Sequence, residues 1–579
     1  MDSYDNPVPG TSHSWDDPAW NTLHIEETLA VMDSFIEEPN REETNLLIHS
    51  PQYPITDSEL LGILSENVLD ELETDNDGDS DPEFFENAHE NAQEDYVTPG
   101  EAWFPGNPTS NITEFQFLKT PGLKEDVGDE PINYFDALCS SNLLELLKDC
   151  SNEYGEIEKK STAATKSRKK SWKPVTSQEM KLFFGLIFHM GFIKINRLND
   201  YWKNDAYFDQ PIFGRAMSRN RFILILRMLC VYVGQVTCSY DKVKNIIDYF
   251  NEKILSLYYP TKKITIDESM MLWRGRLSFR QYMKGKRHKY GLKFYALADQ
   301  LGVIMKLHLY GGASDALVGG KNHVQKVVDH LLHDFINVGH HLFVDNYYTS
   351  VSLVEKLFSN KTFCTGTLRQ KRKNNPKEIE SAKLKKGELC IVHKNNVCVL
   401  KWIDQREIRA ISSKYNGDLE LTRNRRGTLK LKPQMVIKYN KCMKAIDRHD
   451  QMLSYYSCEH KSLRWYKKVI IHVMQILLVN SFLLYNKYNS KKLTLYDFRL
   501  SVIKSIIEPH LPPTLQRPLM NKIHCIMKLP KDTHGKTKRR RCNQCWRTLK
   551  KRVQTAFACE DCPGQPGLCI ECFRPHHKY

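Results

Sequence analysis

The chain has 579 residues, 41% of them hydrophobic and 11% aromatic, with a formal net charge of +14. That length is too great for a single hydrophobic core, so several domains are expected. The charge is divided: the first hundred positions hold 26 acidic residues against one basic residue, Arg41, and carry −25, which leaves +39 on the rest. A body so basic calls for an anionic partner, and nucleic acid is the commonest one; a merely solvated cationic surface is the alternative. The first residues are acidic and polar, so no signal peptide is read there. The most apolar stretch, Val469–Tyr485, is interrupted by His472, Gln475, Asn480 and Ser481 and reads as a buried helix rather than a membrane span. Ten of the 16 cysteines are scattered singly from Cys139 to Cys525, as in a reducing compartment, and six crowd between Cys542 and Cys572.

Residues 1–130 combine negative charge with Pro, Gly, Asn and Ser clusters and read as largely disordered, with short apolar stretches near Leu29 and Leu60 as transient helices or docking motifs. From about Asn133 the pattern is helical. Asp136–Leu147 has helical apolar spacing, and a basic break (Lys166, Arg168, Lys169, Lys170) follows. Thr176 and Glu179 form a capping box before Leu182–Phe192, and Ser218 caps a helix whose first turn carries Arg219 and Arg221, for structure or for DNA. At Lys262 the period becomes strand-like: Ile264-Thr-Ile266 leads into Asp267, then Tyr290–Asp299 and Val303–Tyr310 alternate. A helix over Asn322–Phe335, a strand His341–Val344 ending at Asp345, and a helix over Ser350–Phe358 complete the order strand–strand–strand–helix–strand–helix. That is the order of a ribonuclease H-like α/β core. Residues 371–432 read as a basic insertion of short strands, and a long helix runs from Ala445 toward Tyr485 with a break near Cys458–Ser462.

Phosphodiester transfer uses divalent metals held by a few carboxylates on different elements. Asp267 and Asp345 each end an apolar strand, and Asp447 and Asp450 share a helix face. Singly, each is an ordinary turn or surface acid. Arg274, Arg276, Arg280, Lys284, Lys286, Arg287 and Lys289, interleaved with Trp273, Phe279 and Tyr282, suit phosphate contact and base stacking, although burial of the aromatics is an equal reading. Arg369, Lys371, Arg372, Lys373, Arg423, Arg425 and Arg426 offer further contacts. In the tail, Cys542-x2-Cys545, Cys559-x2-Cys562 and Cys569-x2-Cys572 are chelating pairs, followed by His577. With His577 they make seven ligands, one short of two closed zinc sites; His524, Cys525, His534 and His576 are the candidates for the eighth.

The flanking residues carry more than the spacing. Ile264-Thr-Ile-Asp267-Glu-Ser with Trp273-Arg-Gly-Arg276 and Lys289-Tyr-Gly-Leu-Lys293, then Phe343-Val-Asp345-Asn-Tyr-Tyr-Thr-Ser350, then Gly366-Thr-Leu-Arg369, then Asp447-Arg-His-Asp450-Gln-Met between Tyr439-Asn440 and Arg464-Trp465, resemble the blocks of the piggyBac family of transposases in order. One departure is Ala445-Ile446, where the family more usually has a Gly-Val type pair. The resemblance implies a ribonuclease H-like catalytic domain (263–370 and 433–457) with an insertion domain (371–432), a helical dimerisation and DNA-binding domain (131–262 and 458–523) and a cross-braced zinc domain (524–579) that reads transposon-end DNA. It implies cut-and-paste transposition through a DNA hairpin with joining at TTAA. Asp267, Asp345 and Asp447 would bind Mg²⁺ or Mn²⁺, with Asp450 in support, and His524, at the distance before the first cysteine where the family's tail has a histidine, would be the eighth zinc ligand. Arg274, Arg276, Lys286, Lys289, Lys293, Arg369, Arg372, Arg539 and Arg540 are the expected DNA contacts; two Zn²⁺, double-stranded DNA and a second copy of the chain are the expected cofactors and partners. Lys538–Arg541 also suits nuclear import. The other readings are a domesticated descendant that binds DNA without cutting, a chromatin or protein adaptor using only the acidic N-terminus and the tail, and a RING- or PHD-like tail.

Overall fold

The computed structural model describes residues 102–108, 114–162, 167–283, 289–423, 427, 429–460, 462, 464–511, 524–533, 535–562 and 564–577. The acidic segment through residue 101, with the stretches near Leu29 and Leu60, lies outside the described residues, as do Lys166, Lys284, Lys286, Arg287, Arg425, Arg426 and His534.

The centre is a mixed sheet built from strands β1 (Lys263–Leu272), β2 (Tyr290–Asp299), β3 (Ile304–Leu309), β4 (His341–Val344) and β5 (Phe363–Thr367). They lie in the order β3-β2-β1-β4-β5. β1 pairs antiparallel with β2, and β2 with β3, whereas β4 runs parallel to both β1 and β5. The chain reaches parallel strands through crossover helices, α7 (His323–Leu332) before β4 and α8 (Val351–Ser359) before β5. This matches the element order read from the sequence. The basic stretch expected as an insertion supplies β6 (Leu389–Lys394), β7 (Val397–Ile403) and β8 (Glu407–Ser412), which continue the same sheet where Ile411 of β8 pairs with Gly366 of β5. Strands β9 (Leu419–Arg423) and β10 (Leu429–Pro433) form a separate hairpin.

Helices α1 (Pro131–Leu138), α2 (Ser141–Ser161), α3 (Ser177–Met190), α4 (Pro211–Ala216), α5 (Arg219–Met228) and α6 (Asp241–Leu257) precede the sheet; α9 (Lys377–Ser381) lies in the insertion. The single helical run expected over 136–147 is two helices. The break at Ser140 is held by Tyr249 of α6, whose hydroxyl donates to the Leu138 carbonyl at 2.8 Å and accepts from the Ser140 N–H at 3.0 Å. A tertiary contact 109 residues away is not visible in local spacing. Thr176 caps α3 by accepting from the Glu179 N–H at 3.1 Å, but the Glu179 carboxylate turns to Arg221 instead of closing the box. Arg221 bonds both Glu179 oxygens at 2.6 Å and the Lys173 and Pro174 carbonyls at 2.7 and 3.2 Å, and lies over the Trp172 ring. Its role is structural.

After the sheet come α10 (Gln434–Cys442), α11 (Ala445–Tyr455), α12 (Trp465–Tyr488) and α13 (Leu495–Ile507), with the helix break where the sequence placed it. α12 is apolar and long enough to cross a membrane, yet 89% of its most apolar window is buried inside the protein. Each polar interruption has a partner. His472 bonds Glu459 at 2.8 Å, Gln475 accepts from the Cys458 N–H at 3.1 Å, Asn480 pairs with both backbone groups of Ile304 at 2.9 Å, and Ser481 donates to Leu477. Lys467 donates to the Leu226 and Arg227 carbonyls at the end of α5.

Replacing Arg221 with Ala breaks charged hydrogen bonds that join α3, α5 and the Lys173–Pro174 segment, and lowers stability by about 2–3 kcal/mol. Chemical denaturation followed by tryptophan fluorescence checks this. A variant with unchanged stability and a DNA-binding salt slope smaller by about one would return Arg221 to the DNA surface.

Candidate active site and zinc-binding tail

Asp267 lies within β1 and Asp345 directly follows β4. The last parallel pair between these strands is Ile266 opposite Val344, so the two aspartates are the next residues on neighbouring strands. In a parallel pair such residues project to the same face, with the strands about 4.8 Å apart. Each carboxylate is held by a backbone donor: Asp267 Oδ1 accepts from the Glu268 N–H at 2.8 Å and Asp345 Oδ1 from the Tyr347 N–H at 2.9 Å. The loop after Asp345 is locked further, since Thr349 donates its N–H and hydroxyl to the Asp345 carbonyl at 3.1 and 2.6 Å and Ser350 caps α8. Gly366 is needed beside it, because a Cβ there would lie 2.4 Å from the Thr349 hydroxyl and 2.6 Å from the Val344 carbonyl. Gly291 allows the β1–β2 pairing in the same way, with the Met271 carbonyl 2.1 Å from a notional Cβ.

Helices α10 and α11 cover this face. Thr265 donates to the Cys442 carbonyl at 3.2 Å and Ser269 to Asp450 Oδ1 at 2.6 Å, so alternate residues of β1 on either side of Asp267 anchor them. The helix α11 is also tied to the β2–β3 turn: Arg448 donates to Gln300 and His449 Nδ1–H to the Gly302 carbonyl, both at 3.0 Å. Asp447 is exposed in the first turn of α11, where the helix dipole favours a negative charge. Asp450 is held by Ser269 beside it. Tyr439 of α10 lies within electrostatic reach of three of the aspartates. Burial pushes its phenol well above the usual range, and the charges of Asp345, Asp267 and Asp447 all push the same way. Among the described residues, the groups of three or more His, Cys, Asp or Glu whose ligand atoms all lie within 4.8 Å of one another are both in the tail. The aspartates therefore share one side of the sheet without converging on one point. Their donor set, hard carboxylate oxygens on separate elements with one exposed member, suits a divalent cation that keeps part of its water shell.

The expected DNA contacts divide. Arg274, Arg276, Lys289, Arg369, Arg539 and Arg540 are exposed. Lys286 lies outside the described residues. Arg372 is half-buried and donates to the Asn346 and Tyr347 carbonyls at 2.9 and 3.0 Å, so it braces the loop after Asp345. Lys293 differs most from expectation: it is buried and ion-paired with Glu268 at 3.4 Å. Of the interleaved aromatics, Trp273 and Phe279 are core residues, while Tyr282 is half exposed and its ring lies 4.7 Å from that of exposed Tyr290.

In the tail, strands β11 (Ile526–Lys528), β12 (Arg540–Arg541), β13 (Gln554–Thr555) and β14 (Phe557–Cys559) and helices α14 (Asn543–Leu549) and α15 (Ile570–His577) bring the ligands into two groups. One is Cys542, Cys545, Cys569 and Cys572; the other is His524, Cys559, Cys562 and His577. The first and third cysteine pairs share one group and the second pair joins the histidines, so the two groups interleave along the chain. Sulfur separations of 3.8, 3.8 and 3.4 Å in the first group compare with about 3.8 Å for a tetrahedron of Zn–S bonds. His524 Nδ1 is 3.3 Å from Cys559 Sγ, and His577 Nε2 is 3.3 Å from Cys562 Sγ. His577 Nδ1–H donates to the Phe573 carbonyl at 2.7 Å, which fixes the tautomer that leaves Nε2 free to bind metal. The choice of His524 over its competitors agrees with this grouping.

A family model described as Transposase IS4 matches residues 130–482. PiggyBac transposable element-derived protein 3 of Homo sapiens is 26% identical over 434 residues, covering 70% of this chain and 70% of that protein. PiggyBac transposable element-derived protein 2 of Homo sapiens is 24% identical over 330 residues, or 54% of this chain and 56% of the relative. In fold, the chain resembles the protein in a cryo-EM structure of a piggyBac transposase synaptic complex with hairpin DNA, at a TM-score of 0.61 and 20% identity, covering 79% of this chain and all of that one.

Native mass spectrometry of the wild type is expected to find two zinc ions per chain. Changing Cys542 or His524 to Ala removes one ion each, from different groups, and changing His576 to Ala removes none. Loss of zinc on changing His576, with retention on changing His524, would reassign the eighth ligand.

Proposed function

The chain belongs to the piggyBac family of transposases, and from that premise we propose that it is a metal-dependent transposase that excises and reinserts DNA. The observation that carries the reading is the placement of Asp267 and Asp345 as consecutive neighbours on parallel strands, with Asp447 bearing on the same Tyr439. Asp267, Asp345 and Asp447 are the ligands for Mg²⁺ or Mn²⁺, and Asp450 supports them by fixing α11 to Ser269. Bound divalent cations would activate the attacking oxygen and stabilise the leaving oxygen of an in-line displacement at phosphorus.

The protein's own part is to keep those carboxylates in place through the Glu268 and Tyr347 N–H donors, and to hold the DNA. Arg274, Arg276, Lys289 and Arg369 meet phosphates, while Tyr282 and Tyr290 offer exposed rings to unstacked bases. The reaction proceeds by a nick at the transposon end, attack of the freed 3′-hydroxyl on the opposite strand to form a hairpin, opening of the hairpin, and joining at TTAA. Every step is the same displacement, so one aspartate site serves all. The tail reads the transposon end through its exposed Arg539 and Arg540, and the protein works in the nucleus as a dimer.

An excision assay in cells, with transposon ends from matching elements in the same genome, tests this. Asp345→Ala is expected to lower excision by about a hundredfold or more, because a lost ligand disables metal chemistry. Equal excision by both proteins would refute the catalytic role. Binding of the ends without excision by either would make the chain a domesticated DNA-binding descendant.

A further inference from the structure

Beneath the aspartates lies a buried polar layer that the proposed chemistry does not use. Lys293 of β2 is only 7% exposed, although it follows a run of cations in sequence. Its ammonium lies 3.4 Å from Glu268 Oε1 and faces the rings of Tyr295 and Tyr347, 4.4 and 4.9 Å from their centroids. Glu268 Oε1 also accepts the Tyr348 hydroxyl at 2.8 Å. The Tyr295 hydroxyl bonds His323 Nε2 at 2.6 Å, and His323 Nδ1–H donates to the Val318 carbonyl at 2.5 Å, so the aromatic wall of the pocket is fixed in turn.

Two partners of the ammonium, Glu268 and Tyr347, belong to the segments that carry the aspartates, while Tyr295 belongs to β2 itself. Glu268 follows Asp267 and gives it a backbone N–H; Tyr347 lies two residues after Asp345 and does the same. One side chain therefore grips both segments that carry the side-by-side carboxylates. Burial disfavours the ammonium, and the charges of Glu268, nearest, and of Asp267 and Asp345 beyond it all favour it, so the side chain is held electrostatically to both segments. A compact ammonium on a long stem suits this position, and burial would be costly without Glu268 and the tyrosine faces.

We propose that Lys293 is a positioning residue that sets the spacing of Asp267 and Asp345 for divalent cations, and that it does not contact DNA. The inference rests on the reading of those aspartates as cation ligands.

The test uses the purified full-length chain. Mn²⁺ binding is followed by isothermal titration without DNA, folding by thermal melting, and affinity for a TTAA-containing duplex as a function of salt. In Lys293→Met, Mn²⁺ affinity is expected to fall about tenfold, the scale for outer partners of metal ligands, with DNA affinity and its salt slope unchanged. Lys293→Arg recovers part of the loss. The double variant Lys293→Met with Glu268→Gln controls for folding, since it removes the unpaired buried charge; it is expected to melt near wild type and still bind Mn²⁺ weakly. Wild-type Mn²⁺ affinity in the double variant overturns the proposal. A salt slope reduced by about one in Lys293→Met also overturns it and assigns the residue to a phosphate. If Asp345→Ala binds Mn²⁺ as wild type does, the ligand reading itself fails, and the role of Lys293 falls with it.

Discussion

Gathering several carboxylates on one side of a sheet is the constraint on which the rest of this structure depends, because like charges in a partly dry site repel. The parallel pairing of β1 with β4 places Asp267 and Asp345 side by side whether or not their charges favour it. Backbone pairing is strong and cooperative enough to impose that neighbourhood, and the donors on each aspartate reduce its cost. The Glu268 and Tyr347 N–H groups act at the carboxylates, and the helix dipole of α11 acts at Asp447.

The helical frame serves the same site. α12 carries His472, Gln475, Asn480 and Ser481 through the core; the first three bond neighbouring segments, and Ser481 donates to Leu477 of the helix itself. Asn480 pins the start of β3, Gln475 and His472 pin the segment just after α11, and Lys468 donates to the carbonyl of Leu272 at the end of β1. An apolar helix with such interruptions is poorly suited to lipid but well suited to the centre of a protein whose sheet needs anchoring from behind. The extension of the sheet by β6–β8 adds a second anchor, since the edge of β5 is covered by β8.

The tail follows a different logic. Its buried set is small, Leu529, Cys542, Cys545, Thr555, Ala558, Cys559 and Leu568 among the described residues, too little to offset chain entropy unaided. Interleaving the two ligand groups makes each one close a loop that contains part of the other, so the groups brace the whole segment together. The surface this leaves free is basic: Lys538 and Arg539 are exposed, and Arg541 lies over the Trp546 ring at 4.6 Å.

Much of this was legible in the chain alone. The period changes gave the strand and helix order of the core, the polar residues of α12 argued for burial, and the two-residue cysteine gaps picked out the cysteines that gather in the tail, because these are short-range consequences of backbone geometry and chelation. The motif Phe343-Val-Asp345-Asn-Tyr-Tyr-Thr-Ser350 marked the second aspartate, and the structure gives several of its residues a local task. What the sequence left open depended on long-range pairing. It could not tell which cysteine pair joins which, that Arg221 and Arg372 bond backbone carbonyls, or that α1 and α2 part at Ser140 under Tyr249. Lys293 is the sharpest case. In sequence it ends a run of cations and reads as a phosphate ligand; only the register of β2 on β1 turns it toward Glu268 and buries it among tyrosines. A side chain's charge is fixed by the sequence, but the partner that meets it is decided by which strand lies alongside.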